Sequence, residues 1–133
     1  MSDARLRPLR EEDRPELGRI YREVRGEIGS SVDLGFDDDT AGERVLVAED
    51  DGGLLGFVAL WVPEDFVHHL YVDPRARGRG VGAALLQEAL RDVQGRAWLK
   101  VDATNTAARA FYRRLGWEEE PPQAGVVIVR APV

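Results

Sequence analysis

The first apolar positions of the chain form a short strand-like run and then a helical stripe. Residues 4–9, ARLRPL, are typical of a short strand. Residues 11–29 follow, and Pro15 lies near the start of this segment, where a helix tolerates a missing backbone N–H. Its apolar residues stand three and four positions apart, at Leu17, Ile20, Tyr21 and Val24. This spacing places them on one helical face and predicts a strand followed by an amphipathic helix.

The segment 26–43 has no clear hydrophobic period. It is rich in Gly, Ser and Asp, which predicts a loop with room for one short helical turn. The acidic run Asp37–Asp39 lies within it, and a solvated acidic face is the favoured interpretation because charge runs usually face water. The alternative is that this run attracts a cationic substrate.

Three β-branched or aromatic runs come next, at residues 44–50, 54–62 and 66–73. The first two flank the sequence DDGG, which is a hairpin signal, and the third follows a turn at Pro63–Asp65. The pattern predicts three consecutive antiparallel strands.

Two helical stripes lie in the second half of the chain. Between Gly82 and Gly95 the apolar positions are Leu85, Leu86, Ala89, Leu90 and Val93. Residues 97–102, AWLKVD, then form a strand, and a shorter helix ends at Gly116. The stripe of that helix is Ala108, Phe111, Tyr112 and Leu115. In such a β-α-β-α unit the strands that flank the first helix run parallel, with a right-handed crossover.

The tail adds an edge-like strand, a Pro-Pro break and a final β-branched run, VVIV. No internal repeat or linker divides the chain, so we expect one domain over residues 1–133. The fold class is α/β (α+β), with a single mixed, mostly antiparallel sheet flanked by helices.

Composition removes several function classes. The net charge of −6 disfavours general binding to nucleic acid or to an anionic membrane. The absence of cysteine excludes disulfides, thiolate metal sites and a covalent cysteine–acyl intermediate. The N-terminal residues contain no apolar leader segment and no run reaches the length of a membrane span, so a cytoplasmic protein is the default expectation.

A glycine cluster at residues 78–83, GRGVGA, has two chemical interpretations and a structural one. Gly78, Gly80 and Ala83 fit the dinucleotide fingerprint G-x-G-x-x-A, with Asp102 at the end of the next strand. Five residues, DPRAR, separate the strand from the first glycine, however, and a dinucleotide fold has no such gap. The structural alternative is a tight turn that merely starts a helix.

The interpretation that explains more residues is an anion site for a pyrophosphate. Glycines at a helix N-terminus expose several backbone N–H groups on one side, and the helix dipole adds to their field. Three arginines surround the cluster and can add charge-assisted hydrogen bonds: Arg75, Arg77 and Arg79.

Two motifs resemble those of the GNAT N-acetyltransferase superfamily. The first is LYVDPRARGRGVGAALL at residues 70–86, in which Arg77, Gly80 and Gly82 match the acetyl-CoA-binding pattern of that family. The second is NTAARAFYRRLGW at residues 105–117, an Asn, then a helix ending in Tyr, then Leu-Gly-aromatic. One strand separates the two motifs, and the preceding elements follow the same order.

The resemblance implies how the coenzyme binds. Its pyrophosphate would lie on the backbone amides of Arg77, Gly78, Arg79, Gly80, Val81, Gly82 and Ala83. Its pantetheine arm would pair with the backbone of Leu70, Tyr71 and Val72. Such pairing needs strands that diverge at their C-terminal ends, so we expect a β-bulge near Leu70, whose free N–H groups could bind the thioester oxygen as it becomes an oxyanion.

The resemblance also implies roles for two residues of the second motif. Tyr112 matches the tyrosine that protonates the departing thiolate, although its place on the apolar stripe would also suit a core residue. Asn105 matches a residue that contacts the pantetheine arm, although a helix N-cap explains it equally well.

The resemblance does not identify the general base. Lys100 stands where ribosomal-protein acetylating members carry a glutamate, and no carboxylate stands near Phe66, where histone-type members carry one. His68 and His69 remain as candidates because histidine titrates near neutrality, and in a regular strand they would point to opposite faces. Glu64 or a water relay are further options.

The expected function is an acetyl-CoA-dependent N-acetyltransferase that acylates a primary amine of a small molecule, amino acid or peptide directly. The alternative is a non-catalytic acyl-CoA-binding sensor or interaction module, and binding of a nicotinamide nucleotide is a third hypothesis. Acceptor specificity would come from residues 26–43 and 119–125. The terminal strands offer an edge for a homodimer.

Overall fold

A computed structural model describes residues 4–27, 35–91 and 93–133. The helices and strands, in chain order, are β1 (Arg5–Pro8), α1 (Arg14–Glu27), α2 (Phe36–Asp39), β2 (Arg44–Asp50), β3 (Gly53–Trp61), β4 (Phe66–Val72), α3 (Val81–Leu90), β5 (Trp98–Asp102), α4 (Thr106–Arg114), β6 (Glu118–Glu119) and β7 (Val126–Arg130). Among these residues, no helix has both the length and the apolar character to cross a membrane.

The strands form one seven-stranded sheet in the order β1-β2-β3-β4-β5-β7-β6. β1 to β4 form an antiparallel meander, and β4 and β5 are the parallel pair. β7 returns antiparallel between β5 and β6. The predicted mixed, mostly antiparallel sheet flanked by helices is confirmed, as are the hairpin at DDGG and the parallel pair around the β-α-β-α unit.

Each face of the sheet has its own apolar core. On one face the predicted stripe of α1 is buried and packs with Phe36, Val47 and Phe57. On the other face, Leu85, Leu86 and Ala89 of α3 pack with Tyr112 and with β5 and β7. The site described below lies where β4 passes between these two layers.

Two details of the prediction differ from the structure. α3 ends at Leu90, because the backbone turns through a bond from the Val93 N–H to the Leu90 carbonyl, so Val93 lies beyond the helix. Leu115 is the C-cap of α4, where the helical period stops, and its side chain is 37% exposed. The short helical turn expected within the segment 26–43 is present as α2, and residues 28–34 of that segment lie outside the described part of the chain.

Candidate active site

The glycine cluster begins α3 in the way that an anion site requires. Gly78 and Gly80 have φ of 79° and 77°, a left-handed conformation that favours glycine. A Cβ at either position would meet nothing within 4 Å, so the space beside this turn is open. Gly82 follows in the first turn of α3, where a Cβ would come within 3.5 Å of Phe111 and Val72. The turn therefore leaves open space beside the N-terminus of α3.

The three arginines beside the turn are all paired with carboxylates in this structure. Arg75 contacts Asp73, an almost fully buried residue that also accepts a hydrogen bond from Arg19. Arg77 donates two hydrogen bonds to Glu27, the last residue of α1. Arg79 donates to Asp50 at the end of β2. Any anion that recruits them competes with these partners.

The parallel strands separate as they approach this turn. β4 and β5 pair only at Phe66 and Trp98, and the remaining residues of the two strands form no pairs with each other. Leu70, Tyr71 and Val72 pair with β3 on one side, so their other edge faces the opening. This geometry agrees with the splayed pair that the family resemblance implies, and it leaves an edge of β4 without a strand partner beside it.

Gly56 on β3 supports this part of β4, and sequence reasoning missed it. It pairs with Val72, and a Cβ at this position would lie 2.5 Å from the Tyr71 carbonyl oxygen. A glycine in the middle of a strand is the signal that could have found it, because such residues mark close backbone approach.

The β-bulge occurs at His68, two residues before the predicted Leu70. Ala59 of β3 pairs with His69 and Leu60 pairs with Val67, so His68 is the extra residue. The expectation that the two histidines point to opposite faces is therefore wrong. Their rings stack with centroids 3.9 Å apart, because the bulge breaks the strand alternation between them.

The two histidines have different surroundings. The side chain of His69 is 4% exposed and contacts Tyr21, Phe57 and Tyr71 on the α1 face of the sheet. Burial lowers its pKa, which keeps the ring neutral. His68 is 32% exposed, and a hydrogen bond to a carboxylate, Glu43, raises its pKa.

Glu43 and Asp39 complete this cluster, and they come from the segment without a hydrophobic period. Glu43 Oε2 lies 2.7 Å from His68 Nδ1, and Asp39 Oδ2 lies 3.2 Å from His69 Nε2. Asp37 and Asp38 are exposed, as a solvated face predicts, but Asp39 turns inward. Asp39, His68 and His69 also have the mutual spacing of metal ligands, within 4.8 Å. Arg25 of α1 also reaches this cluster, with its Nη1 3.9 Å from Asp39 Oδ2.

Two further positions bear on the choice of general base: Glu64 is a candidate, whereas Lys100 stands where ribosomal-protein acetylating members carry a glutamate. Lys100 is exposed on β5, and its Nζ lies 5.7 Å from the centre of the Phe66 ring, a cation–π contact. Glu64 is exposed in the turn before β4.

Tyr112 and Asn105 occupy the opposite layer. Tyr112 packs against Phe111 and Trp117, and burial raises the pKa of its hydroxyl. Its hydroxyl forms no hydrogen bond with any residue in the described part of the chain. Asn105 caps α4, since its Oδ1 accepts a hydrogen bond from the Ala108 N–H. The cap uses the side-chain oxygen and leaves the amide nitrogen for another partner.

Comparison with known proteins adds to this geometry. The model of the family described as "Acetyltransferase (GNAT) family" matches residues 6–117. The mycothiol acetyltransferase of Mycolicibacterium gilvum is 40% identical over 92 residues, 60% of this chain and 30% of that protein. The [ribosomal protein bS18]-alanine N-acetyltransferase of Salmonella typhimurium is 33% identical over 86 residues, 59% of this chain and 58% of that protein. The chain therefore matches less than two thirds of the length of either relative.

Solved structures share the whole fold. The PaiA N-acetyltransferase of Thermoplasma acidophilum, solved in complex with coenzyme A, superposes with a TM-score of 0.77 at 20% identity. The match covers 99% of this chain and 100% of that one. At this identity the likeness establishes the arrangement of the elements and leaves the substrate open.

Proposed function

The chain belongs to the acetyltransferase (GNAT) family, and we propose that it transfers an acetyl group from acetyl-CoA directly to a primary amine of a small molecule, amino acid or peptide. The resemblance of its two motifs to that family is confirmed. The observation that carries the proposal is the opening between β4 and β5, which leads directly to the glycine turn at the start of α3.

The chain offers matching groups for each part of the coenzyme. The backbone amides of residues 77–83 would bind the pyrophosphate, with the positive end of the α3 dipole behind them. The free edge of Leu70, Tyr71 and Val72 would pair with the amide groups of the pantetheine arm. Asn105 would donate from its side-chain amide to the same arm. The coenzyme supplies the acyl thioester.

His68 is the proposed general base. An alkyl ammonium has a pKa near 10.4 and must lose a proton before its nitrogen can attack, which costs about 4 to 5 kcal/mol at pH 7 without help. His68 is partly exposed at the bulge and has a raised pKa, whereas His69 is buried and its pKa is lowered. His69 is therefore assigned to packing beneath His68, in contact with Tyr21 and Asp39.

Tyr112 is the proposed general acid. The amine nitrogen attacks the carbonyl carbon, the carbon–sulfur bond breaks, and the departing thiolate takes the phenolic proton. The raised pKa of Tyr112 keeps the hydroxyl protonated until that step. The acylated nitrogen releases its remaining extra proton to solvent, and the phenolate recovers a proton from solvent.

A thiol-release assay tests this function. Purified protein and acetyl-CoA are offered separate amines: alkylamines, amino acids, polyamines, aminoglycosides and short peptides. We expect release of free coenzyme A with at least one acceptor class, and the acetylated product by mass spectrometry. Tight coenzyme binding in calorimetry without thiol release from any acceptor would instead favour the sensor or interaction module.

A further inference from the structure

The exposed histidine of β4 stands between two carboxylates. His68 Nδ1 lies 2.7 Å from Glu43 Oε2, and His68 Nε2 lies 3.9 Å from Asp39 Oδ1. An ionised carboxylate can only accept a hydrogen bond, so the hydrogen of neutral His68 is on Nδ1. The lone pair of Nε2 is then directed toward Asp39.

The carboxylate of Glu43 is buried beside His68. Its side chain is only 7% exposed, and its Oε1 is buried without a hydrogen-bond partner among the described residues. A buried carboxylate with one unsatisfied oxygen is costly, and a proton on His68 offsets part of that cost. Glu43 thus favours the state that a general base reaches after accepting a proton.

Asp39 has one oxygen engaged and one oxygen directed at His68. Its Oδ2 accepts a 2.8 Å hydrogen bond from the Tyr21 hydroxyl and lies 3.2 Å from His69 Nε2. Its Oδ1 faces His68 Nε2 across 3.9 Å, which is too long for a direct hydrogen bond. One nitrogen atom can lie about 2.9 Å from both of these atoms at once.

We propose that the acceptor amine binds as its ammonium ion between Asp39 Oδ1 and His68 Nε2, and that Glu43 is the residue that positions His68 to take its proton. This inference rests on the proposed function and narrows the acceptor to a cationic alkyl amine. One ammonium proton moves to Nε2, the freed lone pair forms the new carbon–nitrogen bond, and the proton on His68 leaves to solvent after the coenzyme thiol has formed.

The position proposed for the amine fits the direction of attack. His68 is the bulge residue, two positions beyond the point at which β4 and β5 separate. Asp39 contacts Tyr21 of α1, on one face of the sheet, whereas Tyr112 lies in the layer with α3. The amine and the proposed acid would therefore approach the thioester from opposite faces.

Five charged or titratable groups bear on His68. Glu43 and Asp39 come from either side of the turn before β2, and His69 is its neighbour on β4. Arg25 of α1 opposes its protonation, and Lys100 of β5 lies behind Phe66, which stacks on His68. Among these, only Glu43 bonds directly to the ring.

The test compares Glu43→Gln and Asp39→Asn with the wild type and with Glu118→Gln, an exposed carboxylate that pairs with Arg96. The acceptor is the best alkylamine from the thiol-release screen. In Glu43→Gln we expect kcat to fall about 100-fold and the rising limb of the kcat/KM profile to move to lower pH, because the charge that raises the pKa of His68 is gone. In Asp39→Asn the KM for the amine should rise about tenfold or more, with coenzyme affinity unchanged.

The results separate this inference from the proposed function. If the wild type acetylates no amine, the proposed function fails. If the wild type is active but Glu43→Gln keeps the wild-type limb, or Asp39→Asn keeps the wild-type KM, the inference alone is overturned. A measurement on the wild type covers the case in which a variant does not fold. Nitrogen-15 NMR should show neutral His68 with its hydrogen on Nδ1, and the opposite tautomer would contradict the arrangement.

Discussion

Arg77 in the glycine turn is joined to Glu27 at the end of α1 by a forked pair of hydrogen bonds, 3.1 Å and 2.5 Å long. Arg77 is the residue that matches the arginine of the coenzyme-binding motif. The turn proposed for the donor and the helix that precedes residues 28–34 are therefore in direct contact. A coenzyme phosphate that recruits Arg77 must draw it away from Glu27.

Substitutions of Arg77 and of Glu27 should change the affinity for coenzyme A in opposite directions. Arg77→Ala removes a charge-assisted contact and should weaken coenzyme A binding about tenfold. Glu27→Gln frees the guanidinium and should tighten binding by up to about fivefold, because an exposed pair of this kind is worth at most about 1 kcal/mol. Calorimetry with coenzyme A measures both. Arg91→Ala at the C-cap of α3, where the ion-pair partner is Glu88, is the control and should leave affinity unchanged. Weaker binding in Glu27→Gln would mean that Glu27 holds the turn in its binding conformation.

Tyr112→Phe should lower turnover without a loss of stability. The hydroxyl has no hydrogen-bond partner among the described residues, so its removal leaves no buried group unsatisfied. Loss of a general acid should reduce kcat about 100-fold or more, while the dissociation constant of coenzyme A and the unfolding temperature stay the same. A normal kcat with unchanged binding would reduce Tyr112 to a packing residue beside Trp117.

Gly56→Ala should destabilise the fold and weaken coenzyme binding together. The new methyl group would lie 2.5 Å from the Tyr71 carbonyl oxygen and 3.0 Å from the Val72 Cα, and both are backbone atoms that cannot turn away. We expect the free energy of unfolding in urea to fall by about 2 kcal/mol. Gly26→Ala is the matched control, because a Cβ there meets nothing within 4 Å. Equal stability of the two variants would show that β3 and β4 can separate at little cost.

The fold was largely predictable because the spacing of hydrophobic residues in the sequence distinguishes the strands from the helices. The stripe of α1 is buried as predicted, and the apolar run of β3 is buried over Leu55–Leu60. These patterns identify the residues that must be buried. Only a few arrangements of helices on a sheet can bury them all, so the layered architecture follows.

The candidate site was less predictable because it depends on a one-residue shift in the pairing of β3 with β4. The alternation rule assigned His68 and His69 to opposite faces, and the bulge that overturns it arises from how β3 and β4 pair. Nothing local in the sequence HHLYV signals an extra residue. Glu43 and Asp39 lie in a segment without periodicity, so their place beside the histidines follows only from the folded chain.

Asp13 links stability to pH at the far edge of the sheet. Its side chain is 5% exposed and accepts hydrogen bonds from both terminal nitrogens of Arg7 and from the Arg10 N–H. Arg7 is the main cause of its lowered pKa. A carboxyl whose pKa is lower in the folded state adds stability above its unfolded value, near 3.9, and loses that contribution as the pH falls through the folded value.

Asp13→Asn should therefore lower the free energy of unfolding by about 2 kcal/mol at pH 7. This loss is smaller than that expected on removing one partner of a fully buried ion pair, because Arg7 keeps its contacts with Glu49. The difference from the wild type should stay constant down to about pH 4 and then shrink as the wild-type carboxyl is protonated. Urea unfolding at a series of pH values measures this difference. Asp51→Asn is the control, since its ion pair with Arg5 is exposed to solvent, and should differ little from the wild type at any pH. If the difference in the free energy of unfolding between Asp13→Asn and the wild type did not shrink below pH 4, the charge of the carboxylate would contribute nothing to stability. The asparagine would then destabilise the fold through poorer packing alone.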